Sequence, residues 1–193
     1  AGLDWVSLAN NHIGDAGRKG MLQTMENLDD YGLAHGGLGK NATAAHKATL
    51  LKAGDVTVGM LGYDQIARVY NADADTAGSA RMTTKALRAD IKAARKAGAD
   101  VVVVFPHWGV EYRAAPSPAQ RRMGQAAIDA GADLVIGNHP HWAEGLTSLV
   151  KDGRLRKLEI AKIDGAPAGE SPVAEHLRQA GFADGYKGLL FRV

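Results

Sequence analysis

Three short apolar runs, each introduced by a turn and followed by a histidine-containing stretch, set the pattern of this chain. Leu134–Gly137 has too few residues for a helix and suits a strand buried on both faces. The segments 5–8 and 101–105 have the same character. If the three strands are parallel neighbours, the side chains that follow them lie at one edge of one sheet, where open α/β folds bind their ligands. The histidines in these positions are His12, His107, His139 and His141.

Apolar residues at helical spacing predict helices over the segments 15–31, 83–97 and 117–130. The third begins with Ser117-Pro-Ala-Gln120, which combines a capping box with proline at the first helical position. A strand, a helix and a second strand in this order form a right-handed crossover, so the two strands that this helix joins are predicted to be parallel. The residues expected to face the core are Met21, Leu22, Met25 and Leu28 in the first helix and Leu87, Ile91 and Ala94 in the second.

The segments between these elements carry weaker signals. Val56–Tyr63 alternates well enough to predict a strand. His35–Asn41 contains three glycines and predicts an irregular loop, with a backbone cradle for an anion as the alternative. Its lysine is not followed by serine or threonine, so the loop is not a P-loop. Gln65–Arg81 is predicted to be a long irregular connection that either contacts substrate or is disordered.

The carboxyl-terminal part predicts an antiparallel addition to the fold. Segments 146–150 and 155–163 predict a hairpin, followed by a helix over 173–180 and a strand over 189–193. The expected fold class is therefore α/β, with a central, largely parallel or mixed sheet flanked by helices. Because the first residue stands at the turn before a buried strand, the segment 1–193 is expected to be a single domain that is incomplete at its amino terminus.

Composition narrows the classes of protein that fit. With 193 residues, 46% of them hydrophobic and 23% charged, the chain has the composition of one globular domain. No apolar run approaches the ~20 residues that span a bilayer, and the amino terminus lacks the order of a signal peptide. A formal charge of +2 indicates no polybasic surface, so nucleic acid is not an expected partner. The absence of cysteine leaves imidazole, carboxylate and amide groups to bind any metal.

The histidines at the strand ends predict a metal site when they are considered together. A single histidine near a strand end is more simply a hydrogen-bonded polar residue, because imidazole serves both uses. Several imidazoles buried together are unfavourable if they become charged, whereas a divalent cation holds them neutral and fixed. Zinc, manganese and iron all suit mixed imidazole and oxygen ligands, so the identity of the metal stays open.

Motifs at the same strand ends resemble those of a known family. They are Ser7-Leu-Ala-Asn-Asn-His12, His107-Trp-Gly-Val-Glu-Tyr112 and Gly137-Asn-His-Pro-His141. Together with Gly14-Asp-Ala-Gly17, they resemble successive motifs of the CapA family, the poly-gamma-glutamate capsule biosynthesis proteins, which have a calcineurin-like metallophosphoesterase fold. The resemblance extends over residues 1–145 and implies that fold here.

The resemblance also implies roles for individual residues. His12 would be the catalytic imidazole beside a divalent metal, and Glu111 would be a further group for proton transfer. Aromatic residues beside the ligands are expected to offer apolar walls to a substrate, and these are Trp108, Tyr112 and Trp142. The expected metal ligands are Asn11, His107, His139 and His141.

The chain departs from the family pattern in three places. The family begins with a strand ending in Gly-Asp and a second motif carrying Asn and Glu, both of which would precede Ala1. A Ser-Leu-Gly-Asn-Phe-like strand is expected after His141, yet the chain continues from Trp142-Ala-Glu-Gly145 to Leu146–Val150. Asn138 stands where the family more often has histidine. A complete two-metal site is therefore not expected within this chain.

Two classes of function follow from the resemblance. The first is a metal-dependent hydrolase acting on a phosphoester, an anhydride or an amide-like bond in capsule metabolism. The second is a non-hydrolytic role, as an accessory protein in polymer assembly and export or as a peptide-modifying, epimerase-like enzyme. Either function implies a polar polymer or peptide as substrate, capsule-assembly proteins as further partners, and an extracytoplasmic or membrane-associated location if the whole protein behaves like the family.

Overall fold

A computed structural model describes residues 2–113, 115–141, 156–163 and 166–192, and the chain divides into two units. The first unit comprises Ala1–Gly109 and Pro118–His139, and the second comprises Val110–Ser117 and Pro140–Val193. In the part of the chain that the structure describes, no helix is both long and apolar enough to cross a bilayer.

The first unit contains most of the regular structure. Its elements in chain order are β1 (Trp5–Ser7), α1 (Gly17–Asp30), β2 (Ala34–Gly36), β3 (Leu38–Gly39), α2 (Ala42–Ala45), β4 (Thr49–Ala53), β5 (Val56–Asp64), a 3₁₀ helix (Arg68–Tyr70), β6 (Gly78–Ser79), α3 (Thr84–Lys96), β7 (Val101–His107), α4 (Pro118–Asp129) and β8 (Leu134–Val135). The largest sheet has the strand order β4-β5-β7-β8. In it, β5, β7 and β8 are parallel, while β4 runs antiparallel to β5. The predicted crossover is therefore present.

Helices α3 and α4 cover one face of this sheet because their apolar residues fall on one side. Thr83 caps α3, since its hydroxyl oxygen accepts a hydrogen bond from Ala86 N at 3.0 Å. The helix buries the three residues that its spacing predicts, and they pack with alternate residues of β5 and β7. The main members of this core are Leu61, Tyr63, Leu87, Ile91, Ala94, Val102 and Val104.

Helix α1 packs by a narrower face than its sequence predicts. Met21 is fully buried and packs with Leu8 and Leu38, and Met25 lies against the same cluster. Leu22 is 36% exposed, so its predicted place in the core is wrong. Met21, Met25 and Leu28 lie on one face of the helix. Successive residues of a helix point about 100° apart, so Leu22 points away from that face.

The glycine-rich segment His35–Asn41 is more regular than predicted. It contains β3 and most of β2, and β2 pairs with β1 in parallel. Glycine allows close packing here, because a side chain at Gly39 would meet the backbone nitrogen of Ala45 at 2.2 Å. The three glycines therefore mark close contacts between elements and not an irregular loop.

The connection Gln65–Arg81 is ordered by hydrogen bonds. It contains the 3₁₀ helix and β6, which pairs antiparallel with β3. The guanidinium of Arg18 donates to the carbonyl oxygen of Val69 at 3.2 Å and to that of Ala77. The alternative of a disordered segment is therefore wrong.

Strand β8 is short and half-exposed, contrary to the expectation of a strand buried on both faces. Leu134 is 47% exposed and Ile136 is 42% exposed. Among the described strands, β8 is the last of its sheet, so only β7 covers it laterally. A continuous apolar run is therefore not sufficient evidence of burial on both faces.

The second unit has its own small core and an antiparallel sheet, as the sequence predicts. Its elements are β9 (Leu158–Ile160), β10 (Lys162–Ile163), β11 (Ala166–Pro167), a 3₁₀ helix (Ala168–Glu170), α5 (Ala174–Gln179), β12 (Ala183–Gly185) and β13 (Gly188–Phe191). Strand β13 pairs antiparallel with β12 and β9, and its Leu189 and Phe191 pack against Leu177 of α5. The predicted strand 146–150 lies outside the described residues.

Two Ala-Gly-Ala-Asp turns join helices to strands in the first unit. Each has a glycine at positive φ, 98° at Gly98 and 102° at Gly131, where other residues are strained. The aspartate that follows then accepts a hydrogen bond from a backbone amide at the start of the neighbouring strand. Asp133 accepts from Val102 N and from the Arg95 guanidinium, both at 2.6 Å. The repeated turn thus fixes the register of successive parallel strands.

We expect Asp133→Asn to lower the free energy of unfolding by about 1 kcal/mol at neutral pH. This is the contribution of a charge-assisted hydrogen bond, reduced because the Asp133 side chain is partly exposed to solvent. The Val102 amide, with help from the Arg95 guanidinium, lowers the pKa of the Asp133 carboxyl below its ordinary value. A lowered folded-state pKa stabilises the fold above the unfolded-state pKa, and this contribution is lost as the pH falls through the folded-state pKa. Urea unfolding across the acid range measures both effects.

The matched control for this prediction is Asp30→Asn, which removes an exposed carboxylate at the end of α1. The wild type and Asp133→Asn should converge in stability as the pH falls, whereas the control should stay close to the wild type throughout. Equal stability of wild type and Asp133→Asn at neutral pH would contradict the role of this turn.

Candidate functional site

His107, the last residue of β7, is oriented by the side-chain amide of Asn138. The amide nitrogen Nδ2 of Asn138 donates to the carbonyl oxygen of Pro106 at 3.0 Å, which turns its oxygen Oδ1 towards His107 Nδ1. The backbone supports this contact, since Trp108 N donates to the Asn138 carbonyl oxygen at 3.2 Å. In the neutral ring, Nδ1 therefore carries the proton and Nε2 carries the lone pair.

The lone pair of His107 Nε2 faces a second acceptor. Asn11 Oδ1 lies 2.8 Å from Nε2, while Asn11 Nδ2 is directed to His12 Nε2 at 3.4 Å. The two atoms form a hydrogen bond when Nε2 carries a proton, and when it does not, two acceptors this close require a cation between or beside them. Two atoms bound at right angles to one metal ion at 2.0–2.1 Å are about 3 Å apart. The pair therefore has the chemistry and the spacing of two ligands of one cation.

His139 lies beside His107 in the same unit. Their ring centroids are 4.7 Å apart with an interplanar angle of 52°. The backbone φ of His139 is 91°, a left-handed conformation that strains a residue with a side chain. Strained backbone of this kind persists where the surroundings hold it, often at binding sites. The structure thus brings the predicted ligands Asn11, His107 and His139 together.

His12 lies on the exposed side of Asn11 and has a carboxylate partner. Its Nδ1–H donates to Asp15 Oδ2 at 2.9 Å, and its backbone nitrogen donates to Asn10 Oδ1 at 2.9 Å. The His12 side chain is 74% exposed, and its Nε2, which Asn11 Nδ2 approaches to 3.4 Å, is the ring nitrogen that can take part in proton transfer. Sequence reasoning did not assign Asp15 a role, although its Gly-Asp-Ala-Gly motif was the available signal.

His141 lies in the second unit with two other predicted site residues. Its Nε2 is 3.8 Å from Glu111 Oε1, and the ring of Tyr112 stacks on it with centroids 5.9 Å apart. Tyr112 N donates to the carbonyl oxygen of Pro140 at 2.7 Å. Tyr112 and His141 both have positive φ, 58° and 55°. This cluster is half-exposed and strained, which favours a role in binding.

Trp108 and Trp142 were both predicted to line a substrate site, and the structure describes only Trp108. Trp108 is only 6% exposed and belongs to the core of the first unit, which favours a structural role for its indole. Gly137 accommodates it, since a side chain there would meet Trp108 Nε1 at 2.5 Å. Trp142 lies outside the described residues. Apolar walls beside His107 come instead from Trp5 and Phe105, whose rings meet edge to face at 5.7 Å in a groove of about 770 Å³.

Asp64, at the end of β5, supports the loop behind His107. It is fully buried and pairs in register with His107. Its Oδ1 accepts from Ile66 N at 2.8 Å, and Gln65 N donates to the His107 carbonyl oxygen at 3.0 Å. The polar end of the predicted strand was the only sequence signal for this residue.

Comparison with known proteins identifies the family. Residues 1–155 match the family model described as bacterial capsule synthesis protein PGA_cap. The chain belongs to this family. The resemblance that the strand-end motifs predicted is thereby confirmed.

The relatives of this PGA_cap chain include capsule proteins from several bacteria. It is 37% identical over 145 residues to capsule biosynthesis protein CapA of Bacillus anthracis, covering 73% of this chain and 35% of that protein. It is 36% identical over 145 residues to PGA biosynthesis protein CapA of Bacillus subtilis, covering 72% and 37%. A probable polyglutamine synthesis accessory protein of Mycobacterium tuberculosis is 32% identical over 147 residues, covering 70% and 38%. The chain thus spans about a third of the length of these curated relatives.

Two solved structures confirm the expected α/β, metallophosphoesterase-like fold. The NAD nucleotidase NadN of Haemophilus influenzae superposes with a TM-score of 0.50 at 14% identity, covering 85% of this chain and 32% of that one. A putative 5'-nucleotidase of Staphylococcus aureus superposes with a TM-score of 0.51 at 18% identity, covering 72% and 29%. At these identities the likeness concerns the fold alone.

Proposed function

We propose that this PGA_cap chain contributes a divalent-metal centre to a hydrolase of capsule or polyglutamate metabolism. The observation that carries the proposal is the distance of 2.8 Å between His107 Nε2 and Asn11 Oδ1. The amide nitrogens of Asn138 and Asn11 contact the Pro106 carbonyl oxygen and His12 Nε2, and these contacts orient the two amide oxygens. A cation relieves the repulsion of this pair without protonating the imidazole.

Residues of the first unit supply most of the proposed ligand set. Asn11 would provide an amide oxygen, while His107 and His139 would provide ring nitrogens. His141 remains a predicted fourth ligand. Manganese, zinc and iron all accept this mixture of nitrogen and oxygen donors. When bound, such an ion supplies Lewis acidity and lowers the pKa of water.

The chain's own residues would orient the ring and move the proton. Asn138 keeps Nε2 of His107 directed at the ligand position by accepting a hydrogen bond from Nδ1–H. Asp15 holds His12 so that Nε2 of its ring can accept a proton or, in the protonated ring, donate one to a leaving group. Glu111 remains a predicted proton-transfer group and lies next to His141.

The names of the relatives support the setting of the proposal. Two relatives are named as capsule or PGA biosynthesis proteins, which favours a polar polymer or peptide as substrate and capsule-assembly proteins as partners. Another is named as a probable accessory protein of polyglutamine synthesis, which favours the second candidate, a non-hydrolytic role in polymer assembly or peptide modification.

Metal removal tests the proposal directly. We expect the protein to contain a stoichiometric divalent metal, and to lose hydrolysis of phosphate-ester or γ-glutamyl test substrates after chelation and to regain it on adding Mn²⁺ or Zn²⁺. The measurements are elemental analysis and a rate assay before and after chelation. Full activity in metal-free protein would reject the metal-dependent hydrolase. Metal binding without hydrolysis of either class would favour the accessory role.

A further inference from the structure

A second cavity in the first unit lies away from His107 and the groove beside it. Its volume is about 690 Å³, within the range of small-molecule sites. Ala93 and Ala94 of helix α3, together with its C-cap residue Ala97, form one wall of the cavity. Leu38 and Leu50 add larger apolar side chains. The cavity exists because small residues stand where larger ones would close it.

The polar end of this cavity is built by a buried network. His46 lines the cavity, and its Nδ1–H donates to Asp90 Oδ2 at 2.7 Å. Tyr63 Oη donates to the same oxygen at 2.8 Å. Burial, reinforced by the charge of Asp90, raises the pKa of Tyr63, so the phenol stays a neutral donor. The network fixes the His46 ring and leaves Nε2 as its nitrogen available to a ligand.

Lys47 and His35 are two further polar residues that line the cavity, and of these Lys47 favours an anionic ligand. Lys47 is the charged residue among those that line it, and no carboxylate lines it among the described residues. His35 also lines it, with Nε2 3.2 Å from Asp29 Oδ1. The Nδ1 atom of His35 is buried and has no hydrogen-bond partner within the described part of the chain. Because Nε2–H donates to Asp29, this nitrogen is an acceptor in the neutral ring, and its partner is a donor group of water or of a ligand.

We propose that this cavity binds a small molecule with an apolar body and a carboxylate head. The body lies against the alanine and leucine walls, while the head accepts hydrogen bonds from Lys47 and, when the ring carries a second proton, from Nε2–H of His46. On the opposite side of the ring, Nδ1–H donates to Asp90 Oδ2. The proposal concerns a site separate from the metal centre and does not depend on metal binding.

Amide chemical-shift mapping of the full chain with octanoate tests the proposal. We expect saturable shifts at residues that line the cavity, such as Leu38 and Ala93, and at least about tenfold weaker binding of octanol and octylamine. Ala93→Leu should weaken binding by at least about tenfold by filling space along the cavity wall. Ala89→Leu, at an equally exposed position of the same helix that does not line the cavity, should leave binding unchanged. Equal binding of octanol, or octanoate shifts that lie outside the cavity, would overturn the proposal.

Variants of the polar end separate recognition of the head from burial of the body. His46→Gln should weaken octanoate about tenfold with little effect on octanol, because it removes a charge-assisted donor. If His46→Gln fails to fold, Lys47→Gln decides instead, since Lys47 is exposed and its loss should weaken octanoate alone. If folded His46→Gln, or Lys47→Gln where His46→Gln does not fold, binds octanoate as tightly as the wild type, the proposal that the site recognises a carboxylate is wrong.

Discussion

Replacing His107 with alanine is expected to weaken divalent-metal binding by at least about 100-fold. Loss of a residue that only supports a ligand lowers metal affinity by about 10–100-fold, and loss of a ligand itself should cost at least as much. Asn138 orients the ring so that Nε2 lies 2.8 Å from Asn11 Oδ1, and alanine removes this nitrogen. Because the proposed activity depends on the metal, hydrolysis should fall by a similar factor or more. Calorimetric titration with Mn²⁺ and Zn²⁺ measures the affinity, and elemental analysis measures the content.

The control for this variant is His176→Ala, which removes an exposed imidazole from α5. Its metal content and activity should equal those of the wild type. Wild-type metal affinity in folded His107→Ala would show that the acceptor pair is not a metal site. A circular-dichroism melt of both variants establishes that they are folded.

Replacing His12 with alanine is expected to lower kcat by about 10²–10⁴-fold while leaving metal content unchanged. The reason is that His12 has an exposed ring whose Nε2 has only the long contact of 3.4 Å from Asn11 Nδ2, and His12 is not itself one of the proposed ligands. Added imidazole should restore part of the lost rate, a response that a purely structural defect would not show. Steady-state kinetics with and without imidazole, on metal-loaded protein, provide the measurement.

Asp15→Asn serves as a graded companion to this variant. It keeps the shape of the side chain but loses the charge that holds the His12 ring, so kcat should fall less than in His12→Ala and metal content should again be unchanged. Loss of metal from His12→Ala would instead identify His12 as a ligand. Unchanged kcat in that variant would remove it from the proton-transfer step.

Much of the secondary structure could be predicted from local pattern. The S-x-x-Q start of α4 and the buried residues of α3 follow from spacing within a few residues, so they could be predicted from the sequence. The burial of Leu134 and Leu22 could not be predicted in this way. It depends on which other strands and helices arrive beside them, and periodicity carries no information about that.

The candidate site shows the same division. The residue types and their places after strands were sufficient to predict imidazole and amide groups suited to binding a metal at the ends of β1 and β7. The expected route to convergence, one sheet containing all three strands, is wrong for β1, because β1 pairs with β2 in a separate sheet. Asn11 nevertheless reaches His107, so packing between two sheets brings these side chains together.

Local pattern and motifs of contiguous residues were sufficient to predict the family, the α/β class, the parallel crossover and the chemical nature of the metal-binding groups. They carried no information about the orientation of Asn138, the carboxylate partner of His12, the burial of Trp108 or the alanine-walled cavity beside His46. These features depend on side chains that are distant in the chain or on the direction of a ring within a loop. Their energies come from packing and hydrogen-bond geometry, which are defined only once the elements have met.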